Sequence, residues 1–329
     1  MSILDNYTDF MVEKYENFPQ SRYLTLIVLR KAESEMIFRT EGSGEGLARD
    51  TVHAGLEDRD EPISRVTISK RKQTAVERRT GRELLRQHKL LFYAADSKGN
   101  RDESEDNICA LNRNKPCGIC ADCMIYGYAV GGGGAQKSRV ITDDAFSILS
   151  YQTVTAKRTF NALYDNNTMR DPVTGEASSS IQEDEYVKPE TLFVDMQTLK
   201  DLTAIEIRYV IANVLRSRRY GAISSRLGKM QNMLVGAIFS DCELFSNLEL
   251  TQSVYDRLGP DGRKFPLDEK QVKAQVVASV ADLSRGVIGN LQILSDTDLN
   301  ALINEIQQTF VAPTSVKSLL ESITDLYDA

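Results

Sequence analysis

Four of the five cysteines lie between positions 109 and 123, in the pattern Cys109-x7-Cys117-x2-Cys120-x2-Cys123. Thiolates three residues apart on a tight turn can converge on one ion, and a fourth from a flanking loop completes a tetrahedron. Four soft ligands with no open position describe a structural Zn2+ site, which would tie down a polar insertion too small to build its own core. Two other readings stand beside it: an iron–sulfur cluster, because ferredoxins use the same Cys-x2-Cys-x2-Cys spacing, and a loop of reduced thiols. His88 is the substitute ligand should Cys109 stand too far away. Cys242 is isolated and reads as an ordinary buried thiol.

The second chemistry is cationic. From Ser64 to Phe92 there are nine Lys/Arg against Glu77 and Glu83. The run Lys70-Arg71-Lys72 continues onto Arg78, Arg79, Arg82 and Arg86. Such groups suit phosphates tracked without reading bases, whereas a merely solvated helix face would intersperse acids four residues away. Arg216 to Lys229 adds five basic residues and no acid. Arg216, Arg218 and Arg219 close a helix, where the dipole favours cations anyway. Arg226 and Lys229 lie on the following loop beside Gly228, which lets backbone approach a ligand closely. Gly131–Gly134 lacks the Gly-Lys-Ser/Thr ending of a phosphate loop and reads as a flexible linker, with Lys137 and Arg139 just beyond it able to meet RNA at a sheet surface. Asp50, beside Arg49 in a Gly-rich acidic loop, is the one acid with a catalytic possibility, as a metal-dependent nuclease. No nucleophile elbow, metal-binding His motif or paired-carboxylate motif accompanies it.

These groups need a scaffold. Tyr23–Arg30 (YLTLIVLR) is a continuous apolar run of buried-strand length, with Ser34–Arg39 expected as its hairpin partner. A helix is expected over Thr74–Leu90 and a strand over Leu90–Ala95. Further strands are expected within Ser138–Leu149, at Thr191–Leu199 and at Met233–Phe239, with a helix from about Leu202 to Arg219. Tyr151–Lys188 is polar, with Asp171–Gly175 (DPVTG) as a turn, and reads as a projecting hairpin. Beyond residue 240 the periodicity gives amphipathic helices in an all-helical part. The order fits a decorated βαββαβ sheet, the ferredoxin-like arrangement of RNA-binding modules. The expected division is a discontinuous palm (1–98, 138–150 and 191–240), a Cys-rich insertion (99–130), a thumb hairpin (151–190) and a helical C-terminal region (241–329).

Composition narrows the function classes. The 329 residues suggest about two domain-sized units, and 41% apolar with 26% charged is ordinary globular usage. No run approaches the ~20 apolar residues of a membrane span, and Met1–Phe10 carries Asp5 and Asp9 rather than a secretory pattern, so a cytoplasmic protein is expected. The two histidines leave little room for a His-rich centre. The net charge of −7 argues against a nucleic-acid partner only on average. Glu41–Glu61 and Gln292–Ala329 each hold a local −5, so the cations are segregated, and segregation decides whether a polyanion can lie along one face.

Taken in order, these pieces resemble the backbone subunit of CRISPR effector complexes. The resemblance is carried by the early strand, Arg49-Asp50 and the basic helix, then Ser138-Arg139-Val140 with Asp144-Ala145-Phe146. It continues through Glu185-Tyr186 with Thr191-Leu192-Phe193-Val194 and through Ser225-Arg226-Leu227-Gly228. The Cys-rich insertion and helical C-terminus are most similar to the type I-D version. The resemblance implies an α+β fold: an RRM-like (ferredoxin-like) palm, a zinc-binding insertion, a thumb hairpin with Met169 near its tip, and a helical C-terminal part. It further implies a scaffold rather than an enzyme, antiviral in role, binding crRNA and stacked with further copies of itself along the guide. Target DNA and other effector subunits are the remaining expected partners. The positions mapped to RNA are Arg49, Lys70, Arg71, Lys72, Arg78, Arg79, Lys137, Arg139, Arg226 and Lys229. Relatives in type III systems cut RNA with a loop aspartate, and Asp50 lies in the matching loop.

Overall fold

The computed structural model describes residues 2–39, 46–57, 59, 61–96, 98–131, 134–161, 163–178 and 181–327. After a 3-10 turn at Ile3–Phe10 come β1 (Tyr23–Ala32), β2 (Arg49–His53), β3 (Pro62–Ile68), α1 (Lys70–Gln87) and α2 (Ala121–Tyr126). The middle of the chain holds β4 (Tyr128–Val130), β5 (Gly134–Gln136), β6 (Val140–Thr142), β7 (Ala145–Ser147), α3 (Tyr151–Val154), β8 (Thr155–Asn161) and β9 (Ile181–Val187). Then follow β10 (Leu192–Lys200), α4 (Ala204–Arg216), β11 (Met230–Ser240), α5 (Asn247–Gly262) and α6 (Glu269–Ser284). The chain closes with β12 (Leu291–Ile293), α7 (Asp296–Val311) and α8 (Pro313–Asp325).

The fold is mixed α+β, built on one antiparallel sheet in the order β12-β11-β1-β10-β7-β3-β2, with β6 also paired to β10. The apolar run of β1 sits at its centre because it is covered on both faces. Leu24, Leu26 and Val28 pack with Ile207, Val210 and Ile211 of α4. Ile27 and Leu29, of opposite parity, pack with Leu250 and Val254 of α5 and Val272 and Val276 of α6. Thr203 and Glu206 form a capping box at the start of α4, and the Asp144 carboxylate accepts from the amide of Lys70 at the start of α1 (2.9 Å). Helices α1 and α4 approach closely at Gly81, where a Cβ would lie 2.2 Å from the Tyr209 hydroxyl. That contact accounts for a glycine inside a helix, which otherwise costs about 1 kcal/mol.

Several local expectations need correction. Ser34–Arg39 does not pair with β1, whose neighbours are β10 and β11; among the described residues its β-bridges are the isolated ones of Met36 to Val187 and Arg39 to Leu47. Arg49-Asp50 begins a strand, β2, rather than lying in a loop, and residues 40–45 of the acidic Gly-rich stretch fall outside the described residues. Helix α1 starts four residues earlier than expected, because Lys70 and Gln73 bury themselves by pairing rather than by being apolar. Leu90–Ala95 forms single bridges and no strand. Gly134, the last of the glycine run, begins β5 and pairs with Val130 of β4, while Gly132 and Gly133 fall outside the described residues. The C-terminal part is not all-helical, since β12 extends the sheet on β11. Cys242 is only half-buried. Within Tyr151–Lys188, β8 and β9 pair as a two-stranded unit outside the main sheet.

Candidate nucleic-acid interface and metal centre

The four cysteines converge. All are buried, and their sulfurs lie within 4.8 Å of one another. Cys109 stands 3.5 Å from Cys123 and 3.9 Å from Cys120, and Cys117 4.0 Å from Cys123. A tetrahedron with metal–sulfur bonds of ~2.3 Å has edges of ~3.8 Å, so the spacing fits one four-coordinate ion. It leaves no room for a cluster with its own bridging sulfides. The Cys-x2-Cys turns supply their own support: Cys117 Sγ accepts from the amide of Cys120 (3.3 Å), and Cys120 Sγ from that of Cys123 (3.5 Å). Cys109 reaches the group because its amide donates to the Phe92 carbonyl (2.8 Å), so His88, the C-cap of α1, is not needed. Hydrogen bonds from the other three thiols, with Arg82 behind them, lower the Cys109 thiol, whereas Cys120 and Cys123 are raised within the same group.

Helix α1 divides its charges three ways. Its inner face is polar: Lys70, Gln73 and Glu77 enter a fully buried cluster with Arg30 and Asp195. Arg30 donates to Asp195 (2.7 Å), Glu77 (2.8 Å) and Asn232 (2.7 Å), and Lys70 pairs with the other oxygen of Asp195. Burial alone would push Asp195 up, but Lys70 and Arg30 outweigh it and hold the carboxyl below its usual range. Burial prevails at Lys70, whose ammonium lies below the lysine range despite Asp195.

A second side of α1 faces the cysteine insertion. Arg78 grips both oxygens of the buried Asp122 (2.9 Å each), and Arg82 reaches Asp122 (2.7 Å) and the Cys109 sulfur (3.5 Å). Four thiolates around a divalent ion would carry a net negative charge, which these arginines would offset.

The third side is exposed. Arg71, Lys72, Ala75, Val76 and Arg79 line a groove of about 550 Å³ together with Ile37, Phe38, Arg39, Gly221 and Ala222. Spacing of four residues places Arg71, Ala75 and Arg79 on one stripe of the helix. The groove thus has an apolar floor and cationic walls. Beyond Gly221 the basic loop returns, with Arg226 and Lys229 exposed. Its shape depends on Gly228, which has φ +80° and lies where a Cβ would come 2.0 Å from the Tyr220 carbonyl oxygen.

Of the ten expected RNA positions, the structure gathers Arg71, Lys72 and Arg79 on the groove and Arg226 and Lys229 on the adjoining loop. Lys70, Arg78 and Arg139 are corrections. Lys70 and Arg78 are held as described above, and Arg139 is buried between Tyr15 and Tyr327 in an ion pair with Glu206. Each is ion-paired within the protein, Lys70 and Arg139 buried and Arg78 partly exposed. Arg49 is exposed and stacks on Tyr151 (4.7 Å) at the base of the hairpin, next to Ala48, whose amide donates to the carbonyl of the groove residue Phe38 (2.7 Å). Lys137 is exposed beside a separate hollow of about 150 Å³. Asp50 accepts from Thr67 (2.7 Å). On the hairpin, Met169 is half-buried, while Val173 in the turn beyond it is 92% exposed.

Sequence reasoning missed Arg39 and the Arg30–Asp195 cluster. Arg30 shares the parity of Leu24, Leu26 and Val28, so a charge on the helix-facing side of an otherwise apolar strand was the available signal. Arg39 carried none, because only the tertiary fold brings residues 37–39 against α1.

The sequence has no match among curated proteins. Among solved structures, the crystal structure of Csc2 from Thermofilum pendens is similar over 100% of this chain and 99% of that one, with a TM-score of 0.61 and 17% identity. A chain of a CRISPR RNA-guided surveillance complex in a pre-nicking state is similar over 92% of this chain and 99% of that one, with a TM-score of 0.50 and 9% identity. At these identities the likeness is one of fold. A family model described as Csc2 CRISPR matches residues 10–320, nearly the whole sequence, and the chain therefore belongs to the Csc2 CRISPR family.

Proposed function

We propose that the chain is the crRNA-binding backbone subunit of a type I-D CRISPR effector complex. It grips guide RNA through phosphates, without regard to sequence, and stacks with further copies so that bases stay free to pair with target DNA. Family membership supports the setting. The observation that carries the RNA-binding part is the groove, where Arg39, Arg71, Lys72 and Arg79 stand over Ile37, Phe38 and Val76 and lead to the loop with Arg226 and Lys229. Cations above an apolar floor suit a strand of any sequence, since every nucleotide offers a phosphate and a flat face.

In this reading β11, β1, β10 and β6/β7, with α1 and α4 on one side, form the RRM-like palm, and β8–β9 is the thumb. Unlike an RNA-binding module that stacks bases on an open sheet, this palm has its second face covered by α5 and α6, which moves the strand to the groove beside α1. The cysteine site holds a structural Zn2+: four buried sulfurs at tetrahedral spacing leave no open position for a substrate. A scaffolding role is read from family membership, and cleavage at Asp50 is the alternative that incubation with divalent metal tests.

The test is salt-dependent binding of single-stranded RNA by the full chain and by an Arg71→Glu/Arg79→Glu/Arg226→Glu variant. Weaker binding is expected, with the slope of log K against log salt flattened by roughly 0.7 for each phosphate the variant no longer grips. An unchanged affinity and slope removes the groove from the path of the RNA. Incubation with labelled RNA and divalent metal, compared with Asp50→Ala, tests the nuclease reading.

A further inference from the structure

Residues 33–39 join the parts of this interface. Ser34 Oγ accepts from the amide of Lys229 (2.8 Å), and the carbonyls of Glu35 and Ile37 accept from the amides of Gly228 (2.8 Å) and Ala222 (2.9 Å). The side chains of Ile37, Phe38 and Arg39 line the groove, and the Arg39 carbonyl accepts from Lys72 (2.5 Å). The same segment carries the hairpin: Met36 and Val187 exchange both backbone hydrogen bonds (3.1 and 2.8 Å).

Two ion pairs flank that bridge. Arg158 and Asp184 are register partners across the hairpin, yet each also bonds outward, Arg158 to Glu35 and Asp184 to Arg39 (3.3 Å). The four side chains therefore alternate in sign, and Asp184 is only 6% exposed, so water screens its pairing poorly. A two-stranded hairpin has little stability of its own in water, so its direction must come from contacts at its base. Arg39 belongs to both structures at once. The Arg39 side chain pairs with Asp184, and the residue lines the groove.

We infer that the Glu35–Arg158 and Arg39–Asp184 pairs set the angle at which the β8–β9 hairpin stands over the basic groove, making these four side chains positioning residues for the hairpin on a bound strand. The inference rests on the reading of the groove as the path of an RNA.

The clasp is opened by Asp184→Asn/Arg158→Gln, which leaves every groove cation in place. Hydrogen exchange at hairpin amides 155–159 and 183–187 should quicken by about tenfold, with α1 amides unchanged. An RNA of about 12 nucleotides should bind within about twofold of wild type. Crosslinks from a photoreactive group placed at Val173 should spread from one nucleotide to several. Arg158→Glu alone should loosen the hairpin, and Glu35→Arg/Arg39→Glu/Arg158→Glu/Asp184→Arg, which keeps the alternation of sign, should restore it. Unchanged exchange in the double variant overturns the clasp, as does a charge swap that fails to restore. A loss of affinity beyond about tenfold would make the pair a direct RNA contact and overturn a positioning role. Should wild-type protein not bind the RNA, the groove reading fails, while the exchange measurements still judge the clasp.

Discussion

Two sets of cations that look alike in the sequence have opposite fates on the same helix. Lys70, Arg78 and Arg82 turn inward or sideways, and each meets a buried carboxylate, Asp195 or Asp122. Arg71, Lys72 and Arg79 line an open groove. Adjacent positions on a helix point about 100° apart, so Lys70 and Arg71, or Arg78 and Arg79, face different surroundings although they are neighbours in the chain. Local charge density therefore reports the total number of cations on the helix, and only the surroundings tell which of them can touch a polyanion.

The inward set should fail through stability. Removing the four-sulfur site gives the largest effect expected: Cys117→Ser/Cys120→Ser should abolish metal binding and melt the insertion, since ligation contributes directly to folding. About one zinc per wild-type chain by elemental analysis, lost in the variant, is the check; a variant that melts like wild type would show that the site holds nothing together.

Next comes Asp195→Ala, which leaves Arg30 and Lys70 buried without their shared carboxylate and should cost about 3–5 kcal/mol in urea unfolding. In wild type, Lys70 and Arg30 hold Asp195 below its usual range against the opposing effect of burial. A carboxyl depressed in the folded state binds fewer protons there than in the unfolded chain. Its stabilisation is complete above the unfolded value near ~3.9 and is lost as pH falls further. A urea midpoint that stayed level from pH 5 down to about 2 would contradict that assignment.

The outward set should act on binding instead. Arg71→Glu/Arg79→Glu should leave the unfolding midpoint within about 0.5 kcal/mol of wild type, as surface changes usually do, while weakening RNA binding and flattening its salt slope. The smallest effect sharpens the comparison most. Arg139→Gln should leave the salt slope unaltered while lowering stability, because its charge already belongs to Glu206. A slope that flattened in Arg139→Gln would mean that buried cations reach the phosphates after all.

Much of the architecture was legible from residue types. An unbroken apolar run such as Tyr23–Arg30 can satisfy both its faces only at the centre of a sheet, whatever surrounds it. The four cysteines imposed their own convergence, since Cys-x2-Cys turns close locally and need few long-range contacts. The polar stretch with DPVTG could only fold back on itself away from the core.

Other features depended on partners distant in sequence. Arg30 is intelligible only with Asp195, 165 residues away, and Arg39 only with Asp184 and the groove wall of α1. The early start of α1 follows from the same cause: Lys70 and Gln73 carry no apolar signal and are buried because Asp195 on β10 receives them. Patterns of hydrophobicity mark which segments must leave water, because that cost is paid residue by residue. A buried charge is stabilised only by a counter-charge at a few ångströms, and which one stands there is decided when the chain is folded.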